Sequence, residues 1–198
     1  MMKGLRRYEV ALLAVLFVSI ALNLLLSREV ASLRQTLAVL KSEGRLAVGD
    51  PLPPLQAFDL AGKAVTVSYS DGAQPTLLYV FSPSCGWCTR NLPNIRHLTS
   101  ALRSEYRILG ISLSSQELES YIQEKGLGFP VLTQASPASL EAYKLGATPQ
   151  TLVISPEGTL LKNWLGAYVD QVNEDIQQYF NTQLPGLEEP KNKAAGGM

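Results

Sequence analysis

The stretch Thr76-Leu77-Leu78-Tyr79-Val80-Phe81 constrains this chain more than any other. It is a continuous apolar run bounded by turn signals, with a loop from Ser70 to Pro75 before it. Such a run suits a strand buried on both faces of a mainly parallel sheet. Cys85 follows within four residues, in Cys85-Gly86-Trp87-Cys88. From Cys88 to about Arg103, the residues Leu92, Ile95, Leu98 and Leu102 recur at helical spacing. A buried strand, a short turn, two cysteines and a helix therefore follow one another without interruption.

The flanking segments extend this pattern. Leu55 to Tyr69 reads as two short strands around Ala61-Gly62-Lys63, and Tyr106 to Leu113 as the next apolar strand. Gln116 to Lys125 looks helical and closes at Gly126; a short strand follows at Phe129 to Leu132. Pro137 to Lys144 reads as a small helix, with Pro early and Gly146 past its end. Gln150 to Ser155 and Thr159 to Leu165 flank Pro156-Glu157-Gly158 as a hairpin, and a last helix runs from about Val169 to Phe180. Strand–helix–strand units closed by a hairpin and a helix define an α/β class.

The N-terminus has a different character. Residues 10–26, VALLAVLFVSIALNLLL, carry no charge. They sit at the short end of the ~17–25 residues that span a hydrocarbon core. Lys3, Arg6 and Arg7 precede them, which holds that end in the cytoplasm. The run exceeds the h-region of a cleaved signal, and SREVAS after it makes a poor cleavage site. The expectation is an uncleaved signal anchor over 10–26, with 1–9 cytoplasmic; a buried core helix is the bland alternative. Leu26, Val30, Leu33, Leu37 and Leu40 continue at a/d spacing, so 27–44 reads as a helical stalk that offers a dimer seam, or as a helix that continues the span or packs on the domain. A globular domain is expected over 45–184 and a disordered tail over 185–198, on a single-pass protein with its domain on the extracytoplasmic (periplasmic) side.

The chain has two cysteines and one histidine, His97, too few for a four-ligand zinc site or a disulfide-stapled mini-domain. Its formal net charge is zero, and no basic stripe points to nucleic acid. The cysteine pair must work alone. At a helix start, unsatisfied N–H groups and the helix dipole favour negative charge, so Cys85 is the expected thiolate. Cys88, one turn inside, can close a small ring: Cys85 attacks a partner disulfide and Cys88 releases it, or both steps run in reverse.

The segment from about Val48 to Tyr179 resembles the thioredoxin superfamily, most closely its TlpA/ResA-like, membrane-anchored thiol–disulfide oxidoreductases. The resemblance rests on Val48-Gly49-Asp50-Pro51-Leu52-Pro53 with its hairpin, on Phe81-Ser82-Pro83-Ser84-Cys85-Gly86-Trp87-Cys88, on Pro93 after the second cysteine, and on Ala147-Thr148-Pro149-Gln150 before a strand. It implies a thioredoxin-like fold: a central mixed sheet flanked by helices, an N-terminal β-hairpin, and an extra βα insertion assigned to 121–143. It implies catalysis by Cys85 and Cys88 as a redox disulfide, a cis Pro149, and client contacts at Gly86, Trp87, Thr148 and Pro149. It implies protein thiol or disulfide clients, with cytochrome c maturation one setting, a separate redox donor or acceptor, and neither cofactor nor metal.

Two departures matter. Tyr79 stands where thioredoxin buries an acid, and Asn91 where several ResA-like members carry Glu; neither is a base at neutral pH. Ser84 replaces a tryptophan, and Trp87 lies between the cysteines instead, as a surface cap or an apolar lip for clients. His97 reads as structural. A peroxiredoxin-like peroxidase and a non-catalytic thioredoxin-like binding module are the rival readings. The peroxidatic P-x-x-x-[TS]-x-x-C pattern is absent, since Pro83 lies only two residues before Cys85.

Overall fold

The computed structural model describes residues 15–30, 46–70 and 72–188. The chain divides into two compact units, 1–45 and 46–198. In the first, residues 15–30 form a helix, α1. Val15, Leu16, Phe17 and Val18 are consecutive and all exposed, so the first turn of the helix is apolar on every side. Among the described residues no helix is long and apolar enough to cross a membrane. Residues 10–14 of the expected anchor and 31–44 of the expected stalk lie outside the described residues.

The second unit is built on one seven-stranded sheet, ordered β2-β1-β5-β4-β3-β6-β7. Strands β1 (Leu55–Phe58) and β2 (Ala64–Val67) form the hairpin; β3 (Thr76–Phe81) is central. Then follow α2 (Gly86–Arg90), α3 (Leu92–Leu102), β4 (Arg107–Ser112), α4 (Leu118–Lys125), β5 (Val131–Thr133) and α5 (Pro137–Ala142). Strands β6 (Gln150–Ile154) and β7 (Leu160–Leu165) and helix α6 (Asp170–Phe180) complete the unit. Strand β5 and helix α5 fall within 121–143, the stretch expected to add a strand and a helix.

Every residue of β3 is buried, as its apolar run requires. The sheet around it is mixed, not mainly parallel. Strand β3 runs parallel to β4 but antiparallel to β6. Its alternation feeds two cores. Leu77, Tyr79 and Phe81 pack with Cys88, Leu92, Ile95 and Leu98 on the motif face. Leu78 and Val80 pack with Leu55, Leu152 and Tyr143 on the hairpin face. Each such aliphatic side chain contributes about 1.5–3 kcal/mol by leaving water. Gly110 lies opposite Tyr79 on β4, and a Cβ there would come within 2.9 Å of the Phe129 ring and 3.3 Å of the Phe81 ring. Glycine is the residue that lets these aromatics cross the strand.

The helix expected from Cys88 to Arg103 is two helices. It breaks at Asn91, where the backbone takes φ −83° and ψ −2°. Pro93 has no N–H to give the turn before it, so the ladder cannot continue unbroken. The C-terminal segment also differs from the sequence expectation of disorder from 185. Residues 185–188 lie along α2 and α3, with Gly186 N–H bonded to Asn94 Oδ1 at 2.8 Å and Glu188 N–H to Arg90 O at 2.7 Å.

Candidate active site

Strand β3 ends at Phe81, and Ser82-Pro83-Ser84 turn the chain toward α2. The turn closes with Cys85 N–H on Ser82 O at 3.1 Å. Cys85 is the N-cap of α2, in an extended conformation (φ −82°, ψ 107°). Its sulfur accepts from Cys88 N–H at 3.1 Å, where a capping Ser or Asp oxygen would ordinarily sit. Cys85 and Cys88 form a disulfide. Cys88 is fully buried in the motif-face core, while Cys85 is partly exposed and packs against its edge. Helix α2 spans five residues before the break, so the field at Cys85 comes from its first turn and not from a long dipole.

Strand β6 pairs antiparallel with β3, which brings the start of one beside the end of the other. Thr148-Pro149 stands at that start, with a cis peptide bond. Thr148 O lies 3.6 Å from Cys85 Sγ, across 63 residues of sequence. Pro149 O accepts from Gly166 N–H at 2.8 Å. Gly166 takes φ +96°, a region that suits glycine and turns the chain back toward the motif. Of the residues read from the sequence, Cys85, Cys88, Thr148 and Pro149 thus converge. Gly86 faces open space, since a Cβ there would meet nothing within 4 Å. Trp87 is 52% exposed, and the Arg90 guanidinium lies 4.6 Å from its ring centre in cation–π contact. His97 stands away from the motif, 3.5 Å from Thr182 Oγ1 on the exposed side of α3.

The interior beneath the disulfide is polar but uncharged. Burial pushes the Tyr79 phenol well above its ordinary range; Tyr168 adds to this, and the Asn91 side chain facing it opposes. Tyr168 is likewise pushed up by burial, against its 2.8 Å bond to Thr151 Oγ1. Burial also raises Tyr121, with Thr89 and Arg96 opposing. These phenols stay protonated at neutral pH. Among the described residues, no buried polar side chain is a carboxylate.

Sequence reasoning treated Asn91 only as a missing acid. It is a hub: its Oδ1 accepts from Asn94 Nδ2 at 3.0 Å and from Tyr168 N–H at 3.2 Å. Asn94, fully buried, was not singled out. The available signal was an Asn three residues after Asn91, on the same face as Ile95 and Leu98.

The arrangement of sheet, motif and proline can be set beside known proteins. The profile of the AhpC/TSA family matches residues 48–162, more than half of the chain. The chain belongs to the AhpC/TSA family. Among curated relatives, it is 23% identical over 152 residues to the thiol–disulfide oxidoreductase ResA of Bacillus subtilis (strain 168), covering 75% of this chain and 83% of that protein. It is 26% identical over 143 residues to ResA of Geobacillus thermodenitrificans (strain NG80-2), covering 71% and 80%. Among solved structures, the thioredoxin domain of the thiol–disulfide oxidoreductase BVU-2223 from Bacteroides vulgatus superposes with a TM-score of 0.57 at 21% identity, covering 69% of this chain and all (100%) of that one. The solved structures establish the thioredoxin-like fold. Family and relatives together place this AhpC/TSA-family chain among the thiol–disulfide oxidoreductases of ResA type.

Proposed function

We propose that Cys85 and Cys88 are the catalytic pair and that the domain works outside the cytoplasm on disulfides of protein clients. The observation that carries this reading is the division between the two sulfurs. Cys85 is accessible and receives the Cys88 N–H, while Cys88 is sealed in the core. In the reducing direction, Cys85 thiolate attacks one client sulfur, forming a mixed disulfide and releasing the other client sulfur as a thiolate. Cys88 then attacks Cys85 Sγ, the enzyme disulfide forms, and the client leaves as a dithiol, two electrons richer. A dithiol donor must restore the reduced pair. The proton of Cys88 goes to the departing client sulfur, directly or through water, since the buried side chains around it are neutral. In the reduced state the Cys88 N–H stabilises the Cys85 thiolate, and Thr148 O favours its thiol; their balance sets its nucleophilicity.

The client lies between Trp87 and Thr148-Pro149, over the open face of Gly86. Residues 10–26 serve as the anchor and 27–44 as the stalk; the exposed apolar side chains of α1 between Val15 and Leu26 support the anchor. Apocytochrome c cysteines are the client class to test first. Insulin reduction with dithiothreitol tests the reading. Wild type turns over, Cys85→Ser does not, and Cys88→Ser accumulates the mixed disulfide. Equal turnover by Cys85→Ser would sink it. The peroxidase alternative, to which the family name gives weight, predicts peroxide consumption with dithiothreitol; its absence removes that reading. The reduction potential fixes direction: near −270 mV, as in thioredoxin, the pair reduces clients, and near −120 mV it oxidises them, both values being approximate (~) reference points.

A further inference from the structure

After α6 the chain doubles back along the two motif helices. Leu184 N–H donates to Gln177 Oε1 at 2.9 Å, and its side chain packs on the motif-face core. Gly186 N–H then meets Asn94 Oδ1 at 2.8 Å. Glu188 N–H meets Arg90 O at 2.7 Å, and Arg90 Nε returns a bond to Glu188 O at 3.3 Å. Backbone groups of the segment make each of these hydrogen bonds, and the Leu184 side chain adds an apolar contact.

Two chains of contacts lead from this segment to the two walls of the cleft. The first is short: Arg90, gripped by residue 188, lies 4.6 Å over Trp87 between the cysteines. The second passes through the core. Asn94 Nδ2 donates to Asn91 Oδ1, and Tyr168 N–H donates to the same oxygen. Gly166, two residues before Tyr168, holds Pro149 O at 2.8 Å. Asn94 is fully buried in a helix, where an amide without partners would be costly. It spends its oxygen on the C-terminal segment and its nitrogen on Asn91, so it couples the two.

We propose that residues 182–188 are a strap that positions both walls of the client cleft: Trp87 through Arg90, and the Thr148-Pro149 turn through Asn94, Asn91 and Tyr168. The proposal rests on the reading of Cys85 and Cys88 as a pair that acts on proteins. A wall already fixed in place spares a protein client the ordering of those side chains on binding. A small disulfide that meets only Cys85 gains nothing from it. The strap is therefore a determinant of preference for protein over small-molecule disulfides. Glu188, Gly186 and Asn94 are positioning residues that touch no substrate.

The test compares Glu188→Pro, which deletes the N–H held by Arg90 O, with Glu188→Ala, which keeps it, both in the full chain. Glu188→Pro is expected to raise KM for insulin about fivefold, the worth of roughly one hydrogen bond, with kcat and the rate toward a small aromatic disulfide unchanged. Iodide quenching of tryptophan fluorescence should rise in the same variant. It reads Trp87, because Trp164 is only 5% exposed. Glu188→Ala should match wild type in all three measurements. The proposal fails if Glu188→Pro leaves KM and quenching unchanged, if Glu188→Ala shows the same shifts, or if both disulfides slow equally with a fall in melting temperature. Should wild type leave insulin untouched, the functional reading itself has failed, and the quenching comparison still decides whether the strap holds Trp87.

Discussion

Two buried tyrosine clusters lie on opposite faces of the same sheet, and they are treated differently. On the hairpin face the Tyr69 and Tyr143 hydroxyls share a 2.7 Å hydrogen bond, and Tyr143 donates onward to Pro53 O. Every hydroxyl there is satisfied. On the motif face the Tyr79 and Tyr121 hydroxyls and Asn91 Nδ2 are buried without a hydrogen bond among the described residues. An unmet buried polar group costs about 1–3 kcal/mol. The hairpin face is thus built for stability. The motif face leaves donors uncommitted in the layer that holds Cys88, and among the described residues it holds no buried carboxylate to take that residue's proton. A redox centre without a buried base should show the ionisation of its thiols alone.

The sharpest way to break this contrast is to give the motif face its acid. Asn91→Asp keeps the oxygen that accepts from Asn94 and Tyr168, and offers Tyr79 an acceptor. It should speed the Cys88 step by roughly 100-fold, the low end of general-base effects, and add an inflection to its pH–rate profile. An unchanged profile, measured by stopped-flow release of a trapped mixed disulfide, would show that the carboxylate does not reach Cys88. Next in size is Tyr143→Phe. It strands Tyr69 and Pro53 O and should lower unfolding stability by about 1–3 kcal/mol in urea, with turnover intact. A loss of activity there would erase the distinction between scaffold face and working face.

The same pair contributes to the pH dependence of stability. Burial holds the Tyr143 phenol up at about 12, partly offset by Tyr69, against an ordinary value of 10.0. Burial raises Tyr69 further still, with Tyr143 adding to it. Below pH 10 both folded and unfolded chains keep these protons, and the pair contributes no pH dependence. Above it the unfolded chain loses them first, so stability should fall as pH rises from about 10 toward 12. The fall should be shallower in Tyr143→Phe, as read by melting temperature across that range. Smallest of all is Tyr79→Phe. Removing a hydroxyl with no hydrogen bond among the described residues should leave stability no lower than that of wild type. A loss above ~1 kcal/mol would reveal a partner for that hydroxyl, such as bound water.

The local architecture of the site was legible in the sequence. The run 76–81, the turn through Pro83, and the 3.6-residue spacing of Leu92, Ile95, Leu98 and Leu102 follow from solvent exclusion and short-range backbone chemistry, which neighbouring residues alone impose. They put Cys85 at a helix start and Cys88 inside it. Residues 48–53 and 147–150 suggested a thioredoxin-like frame only through resemblance to a known family. Tertiary structure decided the rest. It set Thr148 O beside Cys85, because β6 chose β3 as its antiparallel neighbour. It made Asn91 a hub instead of a vacancy, because Tyr168 arrived from elsewhere to join the neighbouring Asn94. It turned residues 185–188 from a tail into a segment bound to the motif helices. Such pairings depend on which distant surfaces meet, and a single sequence carries no local periodicity that records them.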